Sequence, residues 1–263
     1  MQNLSGRVAV VTGASRGVGK GVALALAEAG AIVYATGRTI VEESFAAAGQ
    51  VIPIRCNHTS DTEVEAAFRR VIDDQNCLDI LVNSVWGGYE NMFEGGEFTW
   101  PLPFWKQPLW RWDAMFAAGV RAHYVSSIHA ARQMVKQQSG LIVNISFWAA
   151  QKHIGNVTYG VSKAATDKLT ADTAHELREH NVAVVSLYPG LVRTEKVMEA
   201  AAFLDLSNSE SPQFIGQAVA ALASDPDVMR KSGQVLVAAA LAQEYGFTDI
   251  DGKQPRPLSL EEV

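Results

Sequence analysis

The stretch Val8-Ala9-Val10-Val11-Thr12-Gly13-Ala14-Ser15-Arg16-Gly17-Val18-Gly19 decides how this chain is read. A β-branched apolar run stops at Gly13, turns through a glycine-rich loop, and passes into a segment over 17–29 rich in Ala and Leu. The rest of the chain repeats that unit. Short apolar runs over 7–12, 32–36, 51–55, 78–82, 141–145, 182–187 and 234–237 predict strands, each beside Gly, Pro, Asn or Asp. Between them, 17–29, 61–74, 111–137, 159–179 and 212–224 carry helical composition. Strands that alternate with helices build a mainly parallel sheet covered on both faces. The expectation is one α/β domain over 1–263, doubly wound on a seven-stranded parallel sheet.

Two irregular segments interrupt this alternation, 86–110 and 190–211. The first holds Trp86, Tyr89, Phe93, Phe98, Trp100, Phe104, Trp105 and Trp110. Long ordered loops are usually functional, so this segment is expected to wall a substrate pocket. The alternative is an apolar flap packed on its own body or on a partner subunit.

Composition removes several classes of function. With 48% apolar and 19% charged residues over 263 positions, the chain can bury a substantial core and does not belong with disordered sequences. It carries 28 acidic against 22 basic residues, with no Lys/Arg run to track phosphates, so nucleic acid is not an expected partner. Cys56 and Cys77 are too few for a disulfide framework and read as packed thiols. The six histidines lack metal-ligand spacing, so no metal is expected. The N-terminus has no signal-peptide pattern, and no apolar run approaches the roughly 18 residues of a membrane span. A cytoplasmic protein without membrane association is expected.

The glycine turn is the first motif that carries chemistry. Gly13, Ser15, Arg16, Gly17, Val18 and Gly19 stand between a strand and a helix, where backbone N–H groups and the positive helix end can receive a pyrophosphate. The second strand ends at Thr36-Gly37-Arg38 with no carboxylate to read a free ribose 2′-hydroxyl. Arg38, helped by Arg16, can instead pair with a 2′-phosphate, which makes NADP(H) the expected cofactor. Downstream, Tyr159-Gly160-Val161-Ser162-Lys163 places a phenol and an ammonium four residues apart on one helix face. A neighbouring positive charge favours the phenolate and suits the tyrosine to proton transfer.

The glycine turn, the Tyr-x-x-x-Lys pair and their separation resemble the short-chain dehydrogenase/reductase family over nearly the whole chain. Leu81-Val82-Asn83, Asn144-Ile145-Ser146 and Pro189-Gly190-Leu191-Val192-Arg193-Thr194 extend the likeness. Within the family the chain resembles the branch of dehydrogenase/reductase member 1, through Thr36-Gly37-Arg38, 119–124, 141–143, 174–178 and 249–252. The resemblance implies a Rossmann fold and hydride transfer between a nicotinamide and a carbonyl or alcohol carbon. It implies Tyr159 as general acid/base, Lys163 as the residue that lowers its pKa and holds the nicotinamide ribose, and Ser146 on the substrate oxygen. It further implies that Asn57, His58, Asn83, Pro189, Gly190, Val192 and Thr194 lie along the cofactor.

Three departures from the family pattern stand out. Gly119 replaces an Asn that supports a proton-relay water in relatives, and Asn83-Ser84-Val85-Trp86 replaces the usual Asn-Asn-Ala-Gly. Ser146 is followed by Phe147 where many relatives have a second serine. Counting back from Tyr159 favours Ser146 as the catalytic serine, whereas aligning the strand end puts Phe147 there. Trp86, Phe147, Trp148 and His153 are expected at the substrate pocket, and their rings point to an apolar carbonyl or secondary alcohol. The rival expectation is a catalytically weak NADP(H)-binding sensor or assembly partner. Relatives form dimers or tetramers through long helices, so a homo-oligomer is also implied.

Overall fold

The computed structural model describes residues 3–41, 45, 50–90 and 92–263. The seven expected strands are β1 (Val8–Thr12), β2 (Ile32–Gly37), β3 (Val51–Arg55), β4 (Ile80–Asn83), β7 (Gly140–Ile145), β8 (Val182–Tyr188) and β9 (Val235–Val237). They form one sheet in the order β3-β2-β1-β4-β7-β8-β9, with every pair parallel. The first crossovers run outward from β1 to β3 and the later ones from β4 to β9. The order therefore reverses between β1 and β4, and a ligand site is expected beyond the carboxyl ends of those strands.

Helices cover both faces. On one, α1 (Gly17–Glu28) and α7 (Pro212–Ser224) bury Val22, Leu26, Phe214 and Val219 against Val11, Val143 and Val185. On the other, α2 (Asp61–Gln75), α4 (Ala122–Gln137) and α5 (Val157–Leu177) cover Val10, Tyr34, Leu81, Ile142 and Val184. Because both faces are covered, the central strands are continuous apolar runs without alternation.

Toward their carboxyl ends these strands turn polar in register. Thr36 pairs with Thr12, Thr12 with Asn83, Asn83 with Asn144, and Asn144 with Ser186. All five are at most 1% exposed. Asn83 Nδ2 donates to Asn144 Oδ1 at 2.8 Å, Asn144 Nδ2 to Thr170 Oγ1 at 2.9 Å, and Thr170 and Ser186 share a 2.8 Å bond. These bonds fasten three strands to α5, while Asn83 Oδ1 is left buried without a partner among the described residues.

Some elements differ from the expectation. The helix read over 111–137 is α3 (Leu109–Ala114), a π-helical stretch Met115–Arg121 and then α4. The first irregular segment contains a small hairpin of β5 (Phe93–Glu94) and β6 (Glu97–Phe98), and the second contains α6 (Glu195–Glu199). Helix α8 (Ala238–Tyr245) follows β9 with no intervening turn residue, so no punctuation marked it in the sequence.

Candidate active site

At the end of β1, Gly13 adopts φ +70, and a side-chain carbon there would stand 2.8 Å from the Ser84 carbonyl oxygen. A carbon on Gly19 would stand 2.5 Å from the Gly13 carbonyl oxygen. The turn is thus folded tightly against the start of α1. Arg16 occupies the cap position of α1 without a side-chain cap, and Gly17 N–H donates to Glu195 Oε2 at 3.0 Å. An anionic oxygen already sits on the positive end of this helix, which is the interaction a nucleotide diphosphate requires. The Thr194 methyl lies beside Gly17, so the loop after β8 closes over the same turn.

At the end of β2, the Ser15 hydroxyl fills the space that a Gly37 side chain would take. The Arg38 side chain is 64% exposed and lies 3.6 Å from Glu90. Such surface pairs are worth at most about 1 kcal/mol, so the guanidinium is available to a ligand. His58 is buried and shares a 2.7 Å hydrogen bond with Thr36, and burial pushes its imidazole down to about 4. Asn57 Oδ1 accepts from the Thr59 N–H and hydroxyl in the turn before α2. Asn83 is fully buried with its amide donating to Ser127 and Asn144. The side chains of Asn57 and Asn83 are therefore engaged within the protein.

Helix α5 delivers Tyr159 and Lys163 to the end of the sheet. Asn156 caps the helix by accepting from Tyr159 N–H at 3.1 Å, while its Nδ2 donates to the Trp100 carbonyl at 3.0 Å. The Tyr159 ring is ringed by Trp86 at 5.5 Å, Trp100 at 5.6 Å, Phe147 at 6.1 Å and Tyr89 at 6.2 Å between centroids. Its hydroxyl faces that of Tyr89. Burial, followed by the Tyr89 contact and Tyr188, holds the phenol well above its ordinary value.

Lys163 Nζ donates to the Ile145 carbonyl at 3.2 Å and lies 3.9 Å from the Trp86 ring centroid. Burial pushes the ammonium down to about 7, with Asp167 opposing. The lysine is therefore poised between charged and neutral near neutrality.

Strand alternation separates Ser146 from Phe147. Ser146 is 1% exposed and donates from Oγ to the Lys163 carbonyl at 3.4 Å. Phe147 lies on the Tyr159 side. Trp148 stacks edge-on with Tyr188 at 5.2 Å and joins a different ring pair from Tyr159, whereas His153 is exposed on a turn. Val192 is buried in a bridge with Glu210, and Gly190 N–H donates to Glu210 Oε2 at 2.7 Å.

Of the residues singled out in sequence, the structure brings together Trp86, Phe147, Tyr159 and Lys163 in one place, and Gly17 and Thr194 in another. Tyr89 and Trp100 join the first group; only their membership in an aromatic segment hinted at it. Arg111 was another surprise: it is fully buried and donates to Thr99 Oγ1 at 2.8 Å and the Thr99 carbonyl at 3.2 Å. It also lies over the rings of Trp100 and Trp110, pinning the aromatic segment to α3.

Comparison with known proteins agrees with this geometry. The family model described as short chain dehydrogenase matches residues 7–205. Dehydrogenase/reductase SDR family member 1 from Homo sapiens is 41% identical across 99% of this chain and 88% of that protein. The Mus musculus counterpart is 42% identical across 95% and 85%. The solved structure of 7 alpha-hydroxysteroid dehydrogenase complexed with NADH and 7-oxo glycochenodeoxycholic acid superposes with a TM-score of 0.76 at 28% identity, covering 96% of each chain. The chain therefore belongs to the short-chain dehydrogenase/reductase family, oxidoreductases that use a nicotinamide cofactor.

Proposed function

We propose that this protein is an NADP(H)-dependent oxidoreductase that interconverts an apolar carbonyl compound and its secondary alcohol, with Tyr159 as general acid/base. The observation that carries this reading is the Tyr159–Lys163 pair on α5, held inside an aromatic ring cluster at the carboxyl ends of the parallel strands. The glycine turn and the positive end of α1, where Gly17 N–H now donates to Glu195, suit a dinucleotide, whose nicotinamide supplies or accepts the hydride when bound. Arg38 and Arg16, with no carboxylate at the end of β2, favour a 2′-phosphate.

In the reducing direction, Tyr159 passes its proton to the oxygen as hydride reaches the carbon. The substrate oxygen takes the place beside the Tyr159 hydroxyl that Tyr89 now occupies, and that exchange removes one of the influences that raise the Tyr159 pKa. Lys163 as ammonium then favours the phenolate left behind. Ser146, which meets the Lys163 carbonyl while Phe147 meets the Tyr159 ring, is assigned to the substrate oxygen on the family resemblance alone. Trp86, Trp100 and Phe147 exclude water and bury substrate carbon.

Two further parts of this reading concern the setting. Trp112 and Phe116 stack at 4.3 Å on a surface they share with Val120 and Tyr124. That face suits a second copy of the chain, giving a homodimer or tetramer. No helix among the described residues is long and apolar enough to cross a membrane, and the cytoplasm is the proposed compartment.

Titration with NADPH and, separately, NADH, followed by tryptophan fluorescence quenching, tests the cofactor. The expected result is at least tenfold preference for NADPH, lost in Arg38→Ala. Equal or stronger binding of NADH refutes the 2′-phosphate assignment, and binding of neither refutes the oxidoreductase reading.

A further inference from the structure

The two departures at positions 86 and 119 meet in space. A side-chain carbon on Gly119 would stand 2.6 Å from Cζ3 and 2.9 Å from Cε3 of the Trp86 indole. The helix therefore has no room for any side chain beneath this ring, and the ring could not lie there above any residue but glycine. The indole face meets Lys163 Nζ, 3.9 Å from the centroid, and its edge meets Tyr159 at an interplanar angle of 83°. Its Nε1 is buried without a hydrogen-bond partner among the described residues, so the ring is held by its faces and not by its polar edge. The backbone carrying it is fixed by His123, whose ring shares a 3.1 Å bond with the Val85 carbonyl.

We propose that Trp86 is the positioning residue for Lys163: its indole face lies against the ammonium, and Gly119 makes room for the ring. The role rests on the assignment of Lys163 to proton chemistry above. A cation over an indole face is attracted by the ring quadrupole, and most strongly where water is excluded. The other groups facing Lys163 are Asp167 and Tyr159 from its own helix and His123 from α4. Asp167 favours the charged lysine. Burial and the lysine itself push His123 down to about 3, so it is neutral near pH 7 and adds no charge there. The indole thus joins Asp167 in favouring ammonium over amine, and removing its quadrupole shifts that balance toward the amine.

The test needs neither cofactor nor substrate. In isotope-labelled, nucleotide-free protein, the Lys163 Cε–Nζ resonances, assigned with Lys163→Arg, are followed through a pH titration. Trp86→Leu, which keeps an apolar neighbour without a quadrupole, should lower the midpoint by about one pH unit, and Trp86→Phe should lower it by less than half of that. A Trp86→Leu protein that titrates together with wild type overturns the proposal.

Thermal unfolding tests the seat independently. Gly119→Asn should lower the midpoint by roughly 5 °C or fail to fold, and Trp86→Gly combined with Gly119→Asn should recover more than half of the loss. A single variant as stable as wild type, or a double variant no better than the single, refutes the pairing. A shifted Lys163 titration in a protein that reduces no carbonyl would support the positioning role while refuting the reaction assigned above.

Discussion

Replacing Asn156 with Ala separates the helix that carries Tyr159 from the aromatic segment that covers it. Asn156 is 2% exposed and makes two bonds in opposite directions, Oδ1 to Tyr159 N–H at 3.1 Å and Nδ2 to the Trp100 carbonyl at 3.0 Å. Loss of an Asn helix cap costs about 1 kcal/mol. Leaving the carbonyl on the far side without its donor adds about 1–3 kcal/mol. The sum is about 2–4 kcal/mol, or a fall of roughly 5–10 °C in the unfolding midpoint of a chain this long. Urea unfolding monitored by circular dichroism and by tryptophan fluorescence measures it, with coincident transitions as the check on two-state behaviour. Asn156→Asp discriminates between the two halves: it keeps the acceptor for the helix and loses the donor to Trp100, so it should regain about 1 kcal/mol of the loss. If Asn156→Ala unfolds within about 0.5 kcal/mol of wild type, or if Asp is as damaging as Ala, the two-way tie is wrong.

Two other outcomes follow from buried groups and close approaches. Burial pushes the Glu210 carboxyl up to about 7 from its ordinary 4.5, with Asp249 adding to the shift and Gly190 N–H and Arg193 opposing it. A folded-state value above the unfolded one contributes stability that is complete below the ordinary carboxylate range and is lost as pH rises through about 7. Between pH 5 and pH 8 the wild type should therefore lose about 3 kcal/mol relative to Glu210→Gln in parallel urea titrations, and a constant difference across that range contradicts this. Gly13→Ala must place a carbon against the Ser84 carbonyl and Val85 Cα with φ at +70. It should cost about 2 kcal/mol or more in unfolding free energy and abolish nucleotide-induced quenching, and a stable, nucleotide-binding variant would refute the cradle.

The sheet was legible because its strands are short apolar runs ended by glycine, asparagine or proline, and because burial on both faces leaves no alternation to misread. The shared face of Tyr159 and Lys163 was equally legible, since their four-residue spacing fixes it whatever surrounds the helix. The helix over 111–137 read as continuous because alanines at 114, 117, 118 and 122 suit an α-helix and a π-helical stretch alike. What distinguishes the two lies outside the segment, where the Trp86 ring rests on Gly119. Arg111 misleads for a similar reason: its burial depends on Thr99 and Gln107, brought to it by an irregular loop with no period to reveal them. The aromatic segment divides in the same way. Trp100 and the partly exposed Tyr89 pack on Tyr159, while Phe93, Phe104 and Trp105 make no ring contact with it and are far more exposed, and composition alone treats all five alike. Phe147 and Ser146 show how one residue of register reassigns a side chain, since neighbouring positions at a strand end face opposite ways.

The central claim is that Tyr159 is the proton donor of a hydride-transfer enzyme, and Tyr159→Phe tests it most directly. Removing only the hydroxyl should leave the nucleotide titration within about twofold of wild type and lower the rate of apolar ketone reduction by about a hundredfold or more. A phenylalanine variant that reduces the same ketones within tenfold of wild type would contradict the account.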